Sequence, residues 1–159
     1  METELRRRRS ELLTLGFGII AFGVWSVLKT YLYTWVDPLI ENVDVEEQYK
    51  TAATILGYVM ITIVLAMDLG LRLYVGMSAR AEGLGKKKGR AYIVVAALML
   101  LVSAMLWFAS LGYIQNRAKD DSLMDYIVSM VVDLTSIAIL ARLVYNAVKV
   151  RQLRRQLEG

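Results

Sequence analysis

The chain has 159 residues, of which 57% are hydrophobic and only one is proline, and its net charge is +4. This composition is too apolar for a soluble domain of such a size, and it predicts a membrane protein. The absence of cysteine and histidine excludes disulfides, thiolate or imidazole metal sites, His-ligated haem and catalysis by either residue. We therefore expect no metal or other cofactor, and an enzyme is the less favoured class.

The positive charge does not indicate a nucleic-acid partner. The basic residues lie in short runs beside apolar segments, where they report the orientation of a membrane protein. Basic clusters alone are also a weak footprint for nucleic acid. We therefore expect the protein to be surrounded by the lipid bilayer and to have no nucleic-acid partner.

The first apolar segment, 12–36, follows the arginine run 6–9 and contains one charge, Lys29. At 1.5 Å per residue it is long enough to cross the ~30 Å hydrocarbon core of a bilayer. A cleaved secretory signal is not predicted, because the apolar stretch is too long and no small-residue cleavage site follows it. We therefore expect a first transmembrane helix.

The second apolar segment, 52–77, carries Asp68 and Arg72 four residues apart, on one face of a helix. A basic, glycine-rich stretch, 78–90, follows it. Its GLGKKKG sequence lacks the Ser or Thr that a phosphate-binding loop needs after the lysine, and no strand precedes it. A connecting loop on the cytoplasmic side is predicted instead.

The third apolar segment, 91–114, contains no charged side chain. The fourth, 123–148, carries Asp133 near its centre and Arg142 nearer its end. Beyond it, the basic tail 149–159 continues at helical spacing, and we expect it to lie on the membrane surface. The sequence therefore predicts an all-α, polytopic membrane protein with a single domain, a bundle of four transmembrane helices.

Basic residues are distributed unevenly between the two sides of the predicted bundle. The N-terminal run, the middle loop and the tail hold thirteen Lys and Arg, whereas the two other loops hold three. This bias places both termini in the cytoplasm. Together with the lack of targeting features, it predicts a multi-pass protein of a bacterial inner (plasma) membrane, with anionic lipids attracted to its cytoplasmic face.

The two halves of the chain resemble each other. Each predicted hairpin begins with a basic run, shows Trp and Tyr six positions apart, and closes with Arg-Leu. The matching positions are Trp25 and Tyr31 with Trp107 and Tyr113, and Arg72-Leu73 with Arg142-Leu143. Two parallel-repeat hairpins, related by an axis along the membrane normal, would give this pattern. Chance similarity between apolar helices is the alternative.

Small residues recur at seven-residue intervals in two of the predicted helices. They are Gly16 and Gly23 in the first helix and Ala96 and Ser103 in the third. Helices in lipid associate through close contact at small residues rather than through hydrophobic burial. We therefore expect these positions to face other helices, within one chain or in a homo-oligomer. A permeation path lined by small residues is the functional alternative.

Two aspartates lie too deep to reach the membrane surface. Asp68 and Asp133 are about 13 and 15 Å from the nearer ends of their predicted helices. An unpaired charge at such a depth costs at least ~2.5 to 3.5 kcal/mol, so each carboxylate should be protonated or paired. Depth matching predicts Lys29 as the partner of Asp133, and Arg72 or Arg142 as the partner of Asp68. An intramembrane aspartyl protease is disfavoured, because the two acids are predicted at different depths.

Two functions fit these features. In the first, Asp133, with Ser129 and Ser136 on the same helix face, lines a polar path through a homo-oligomeric transporter or channel for protons or small ions or solutes. In the second, the charges only fix helix register, and the chain is a scaffold or accessory subunit of a membrane-protein partner. The hydroxyls lack an activating base, so no catalytic constellation accompanies either function.

Overall fold

A computed structural model describes residues 2–36, 47–117 and 123–158 of the chain. The described residues form four α-helices: α1 (Glu2–Val36), α2 (Glu47–Gly83), α3 (Ala91–Arg117) and α4 (Leu123–Glu158). Each of the four is long and apolar enough to cross a membrane. The prediction of an all-helical fold with four such helices is therefore confirmed for the described part of the chain. The loops 37–46 and 118–122 lie outside it.

Three helices extend beyond the predicted spans at one end of the bundle, which holds the N-terminus of α1, the α2–α3 connection and the C-terminus of α4. We call this end the basic end, and the other the opposite end. Here α1 begins at Glu2 and α2 ends at Gly83. The predicted loop 78–90 is therefore helical in its first half. The tail 149–159, expected at helical spacing, continues α4 to Glu158.

The helices pack in an up-down-up-down order. α1 packs against α2 and α4, and α4 also packs against α3. Four pairs of neighbouring helices form the ring of the bundle: α1–α2, α2–α3, α3–α4 and α1–α4. Of these four pairs, α2 and α3 share the smallest interface. The α2–α3 side of the bundle is therefore its loosest.

Glycines let α1 and α2 approach closely. A Cβ atom on Gly16 would lie 2.7 Å from the carbonyl oxygen of Gly76, and one on Gly23 would lie 2.9 Å from the Arg72 side chain. A residue with a side chain would push the two backbones apart at Gly16. Gly16 and Gly23 thus face α2 within the same chain.

The buried core is concentrated towards the basic end. It consists of Leu5, Leu12, Ile19, Val75, Ala79, Tyr92, Ala96, Met99, Leu140, Leu143, Ala147 and Val150. Among the described side chains of α2, none before Val75 is buried. The bundle is therefore tightly closed at the basic end and more open towards the opposite end.

The outer surface of the bundle is strongly apolar. Large hydrophobic side chains on every helix are more than half exposed, including Phe17, Met67, Leu106 and Val131. Soluble monomers rarely expose contiguous apolar patches of this kind. Such a surface is typical of helices that contact lipid or another protein.

Candidate functional site

Polar side chains from all four helices meet between the buried core and the opposite end of the bundle. A groove of about 220 Å³ is lined by Arg72, Ser103, Trp107, Ser110, Asp133 and Ser136, among others. A smaller recess of about 70 Å³, on the α1 side of α4, shares Arg72, Asp133 and Ser136 and adds Ser26, Lys29 and Thr30. We call the two together the polar groove. Asp133 and Ser136 line both parts of it.

Lys29 of α1 and Asp133 of α4 form an ion pair in the polar groove. The Lys29 Nζ atom lies 3.8 Å from Oδ1 of Asp133, and it also donates a hydrogen bond to the Ser129 hydroxyl. Ser129 and Asp133 are one helical turn apart on α4, so a single ammonium group reaches both. The side chain of Lys29 is 24% exposed and that of Asp133 is 56% exposed. The pair is therefore open to the groove rather than sealed within the core.

Arg72 makes the second polar link. Its Nε atom donates to Oδ2 of Asp68 at 2.8 Å, and its Nη1 atom donates to the Ser136 hydroxyl at 3.1 Å. The four-residue spacing lets Arg72 reach Asp68 along its own helix. The connection to α4 is therefore a hydrogen bond to Ser136 and not an interhelical ion pair.

Arg142 does not take part in this cluster. It is exposed on α4 and forms no ion pair with Asp68 or any other residue in the ranges that the structure describes. Of the two cations predicted as partners for Asp68, the structure pairs Arg72. Six residues from the end of the predicted span, an arginine can reach the aqueous boundary by extending its own side chain.

The small residues of α3 lie in two environments. Ala96 is fully buried in the core, whereas Ser103, two turns further on, lines the polar groove. Trp107 forms part of the groove wall, and its indole N–H donates to the Met130 carbonyl oxygen at 3.3 Å. The same stripe of small residues therefore leads from the closed half of the bundle into the polar groove.

The polar groove offers one exposed carboxylate, two fixed cations and several hydroxyl groups. The hydroxyls can replace part of the hydration shell of an ion, and the carboxylate can accept a proton or a cation. Among the described residues there is no group of three or more Asp, Glu, His or Cys side chains that could hold a metal ion. The chemistry that the groove can supply is the reversible binding of protons or small ions.

A second charged cluster, which the sequence analysis missed, lies at the basic end. Glu82 of α2 is 1% exposed and accepts bonds from Arg151 of α4, with Nε at 3.1 Å and Nη2 at 3.2 Å. The Tyr92 hydroxyl of α3 donates to the same carboxylate. Arg151 Nη2 also donates to the carbonyl oxygens of Lys88 and Gly89, at 3.0 and 2.8 Å. This cluster ties α2, α3, α4 and their connection together.

A third polar contact, also missed, joins α1 to α4 at the same end. Arg8 Nη1 donates to Asn146 Oδ1 at 2.8 Å, and Asn146 Nδ2 donates to Glu11 Oε2 at 2.9 Å. In the sequence, Arg8 is recognisable only as part of a basic run that sets orientation. In the structure it also binds a buried amide.

Helical spacing could have revealed both contacts. Glu82 follows Val75 by seven residues, and Asn146 lies between Leu143 and Val150, so both continue core faces at helical period. The predicted spans ended at residues 77 and 148, which left these positions in loops or at a boundary. The signal for these contacts is that apolar residues keep recurring at helical spacing in α2 and α4 after the helix is already long enough to cross a bilayer.

The chain has no significant match among protein families, curated proteins or solved structures. No relative therefore lends this protein a function or a set of site residues. The function has to be inferred from the geometry of the two charged clusters and of the surface around them.

Proposed function

We propose that this protein spans a bacterial inner membrane four times, with both termini in the cytoplasm, and that its polar groove carries protons or small ions. The membrane location is supported by four helices of suitable length and hydropathy and by the exposed apolar side chains around the bundle. The excess of Lys and Arg at the basic end supports the orientation. A homo-oligomer would cover part of the apolar surface and of the groove.

The observation that carries the transport proposal is the exposure of Asp133. Its carboxylate lies ten residues, about 15 Å, from the nearer end of α4, yet more than half of the side chain is accessible. A charge left in contact with hydrocarbon at this depth is costly. In the membrane, water or a neighbouring subunit must therefore fill the space beside Asp133, and the hydroxyl-lined walls favour water and ions.

Lys29 gives Asp133 a means of exchanging its counter-charge. When no other cation is bound, the Lys29 ammonium neutralises the carboxylate across 3.8 Å. A proton or a small cation that binds Asp133 weakens this attraction, and the hydrogen bond to Ser129 keeps Lys29 in place. The groove can thus take up and release a cation without leaving Asp133 unpaired.

The proposed path is gated at the basic end. Below the polar groove, Ile19, Val75, Ala96 and Leu140 are fully buried or nearly so. Their packing closes the route towards the cytoplasmic side. Passage requires this core to separate, and the small interface between α2 and α3 makes that side the place where separation costs least. A carrier that opens alternately at its two ends fits this arrangement better than a continuously open pore.

Flux in liposomes tests the proposal. Purified protein in vesicles that enclose a pH-sensitive dye should dissipate an imposed proton or ion gradient. Asp133→Asn should reduce the rate to that of protein-free vesicles, because the amide cannot bind a proton or a cation, while Asp133→Glu should retain flux. Thr135→Val is the matched control, since the Thr135 hydroxyl is exposed and bonds its own helix at the Val131 carbonyl oxygen. Wild-type flux equal to that of empty vesicles, or an unchanged rate for Asp133→Asn, would contradict transport.

A scaffold or accessory subunit is the second candidate function. It is favoured by the contacts of Lys29 and Arg72, which hold α1 and α2 against α4. In this case Asp133→Asn should lower the midpoint of thermal unfolding or disrupt assembly. A specific membrane-protein partner should also co-purify with the wild-type chain in a fixed ratio, and should be lost with the variant.

A further inference from the structure

A second groove, separate from the polar groove, lies between α3 and α4 at the basic end. Its volume is about 330 Å³. One part of its wall is apolar, formed by Ile93, Val94 and Val148, and the other part is basic, formed by three arginines. The arginines are Arg90, Arg151 and Arg155. We call this cavity the basic groove.

The two parts of the basic groove fall on opposite sides of the predicted membrane boundary. Ile93, Val94 and Val148 lie within the predicted spans 91–114 and 123–148, at their cytoplasmic ends. The three arginines lie just outside the same spans. An apolar wall at the depth of acyl chains and a cationic rim at the depth of headgroups match the layout of a phospholipid.

Arg151 is already positioned in this rim. Its Nε and Nη2 atoms bind Glu82 and the carbonyl oxygens of the α2–α3 connection, which fixes the plane of the guanidinium group. None of these bonds uses Nη1, so a donor remains for a ligand in the groove. A guanidinium held in this way loses little conformational entropy when it binds a phosphate.

Arg90 and Arg155 supply the net charge of the groove. The carboxylate of Glu82 offsets the charge of Arg151, whereas neither Arg90 nor Arg155 forms an ion pair within residues 2–36, 47–117 and 123–158. The rim is therefore about two charges positive and lacks an acidic partner within the described chain. Arginine binds phosphate oxygens through two parallel N–H groups, which gives geometric specificity as well as energy.

We propose that the basic groove binds one anionic phospholipid, with the phosphate against the three arginines and an acyl chain against the apolar wall. The proposal rests on the membrane location proposed above, but it does not depend on transport. Charge-assisted hydrogen bonds from arginine to phosphate oxygens form only where the guanidinium groups touch the bound lipid, unlike the general attraction of a basic surface. Removal of the two unpaired arginines should therefore lower the preference for anionic lipid by roughly tenfold or more.

Native mass spectrometry of the full chain, purified in neutral detergent, tests this site. The protein is mixed with equal amounts of phosphatidylglycerol and phosphatidylcholine that have the same acyl chains, and the ratio of retained lipids is measured. Wild type should retain one phosphatidylglycerol in preference to phosphatidylcholine. In the double variant Arg90→Gln/Arg155→Gln, the ratio of retained phosphatidylglycerol to phosphatidylcholine should fall roughly tenfold. Arg6→Gln/Lys86→Gln, which removes two charges at the same end but outside the groove, should change it less than about threefold.

Equal losses in the two double variants would overturn the proposal, since they would show general attraction to a basic surface. An unselective wild type would overturn it as well. A thermal melt of wild type provides the check that needs no variant: phosphatidylglycerol should raise the midpoint, while phosphatidylcholine and inorganic phosphate should not. An equal rise with inorganic phosphate alone would show an anion site without a lipid, and would contradict the proposed ligand.

Discussion

Two acid–base pairs in this bundle use the same chemistry in opposite surroundings. At the basic end, the Glu82 carboxylate is 1% exposed, and Arg151, which holds it by two bonds, is 20% exposed. In the polar groove, Asp133 is 56% exposed, and Lys29 is 3.8 Å away. The two cations are similarly exposed, at 20% and 24%, but the carboxylate of the first pair is sealed by the core and that of the second opens into a cavity.

The difference indicates that the two pairs have different roles. A pair whose carboxylate is buried and fully hydrogen-bonded is costly to break, because no water can replace the partners of the buried oxygens. With the polar groove filled by water, as proposed above, an open pair contributes little to stability, because water can replace either partner. The buried carboxylate therefore lies at the closed end of the bundle, and the exposed carboxylate lies at the open end.

The largest expected effect is that of breaking the sealed pair. Glu82→Gln should lower the free energy of unfolding by about 3 kcal/mol, because it removes the charge from a buried acceptor that binds both Arg151 and Tyr92. Thermal unfolding in detergent measures the change. Glu2→Gln, at an exposed position of α1, is the control and should be neutral. A loss below about 1 kcal/mol for Glu82→Gln would remove the contrast between the two pairs.

The close approach of α1 and α2 gives the next largest effect. Gly16→Ala should destabilise the bundle by about 1 to 3 kcal/mol, because the added Cβ would meet the Gly76 carbonyl oxygen at 2.7 Å. Gly70→Ala on α2 is the matched control. Nothing lies within 4 Å of its Cβ position, so this change should be neutral or slightly stabilising. Chemical unfolding measures the free energy of unfolding of the two variants. Equal effects would contradict the close approach of α1 and α2 at Gly16.

The open pair should contribute little to folding. In a double-mutant cycle of Lys29→Met and Asp133→Asn, the coupling energy should be about 1 kcal/mol or less, because the Asp133 carboxylate is more than half exposed. Thermal unfolding of the two single variants and the double variant measures this energy. A coupling of about 3 kcal/mol would instead indicate a sealed structural pair and would favour the scaffold function.

Arg142 should give the smallest effect. Arg142→Gln is expected to change the free energy of unfolding by no more than about 0.5 kcal/mol, since the side chain is exposed and pairs with no described residue. The same melts measure it. A larger loss would show that Arg142 takes part in a contact that is completed only in an assembly.

The sequence predicts the helices well because membrane-length apolar runs are a strong local signal. The sequence also predicts the contact between Lys29 and Asp133. Both residues lie inside predicted spans, so the depth of each in the membrane can be counted in residues from the end of its helix. Glu82 and Arg151 could not be matched by depth, because both lie beyond the predicted spans. The helical extensions at the basic end are set by packing, which span length does not reveal.

The exposure of Asp133 could not be predicted from the sequence at all. It depends on how far α2 and α3 diverge around α4, and that divergence is a property of the whole bundle. The pattern of small residues along α3 shows the same limit. Ala96 and Ser103 are of similar size and lie on the same face of α3, seven residues apart. The structure nevertheless places Ala96 in the core and Ser103 in the polar groove.

Cysteine accessibility tests the central contrast most directly, because the sequence contains no cysteine and one introduced thiol is therefore unique. Ser103→Cys and Ala96→Cys are compared in liposomes with a membrane-impermeant maleimide, which reacts with the hydrated thiolate. We expect Ser103→Cys to be labelled and Ala96→Cys, two turns away on the same helix, to stay unlabelled. Protection of both thiols, or equal labelling of both, would contradict a bundle that is open to water at the polar groove and closed at the basic end.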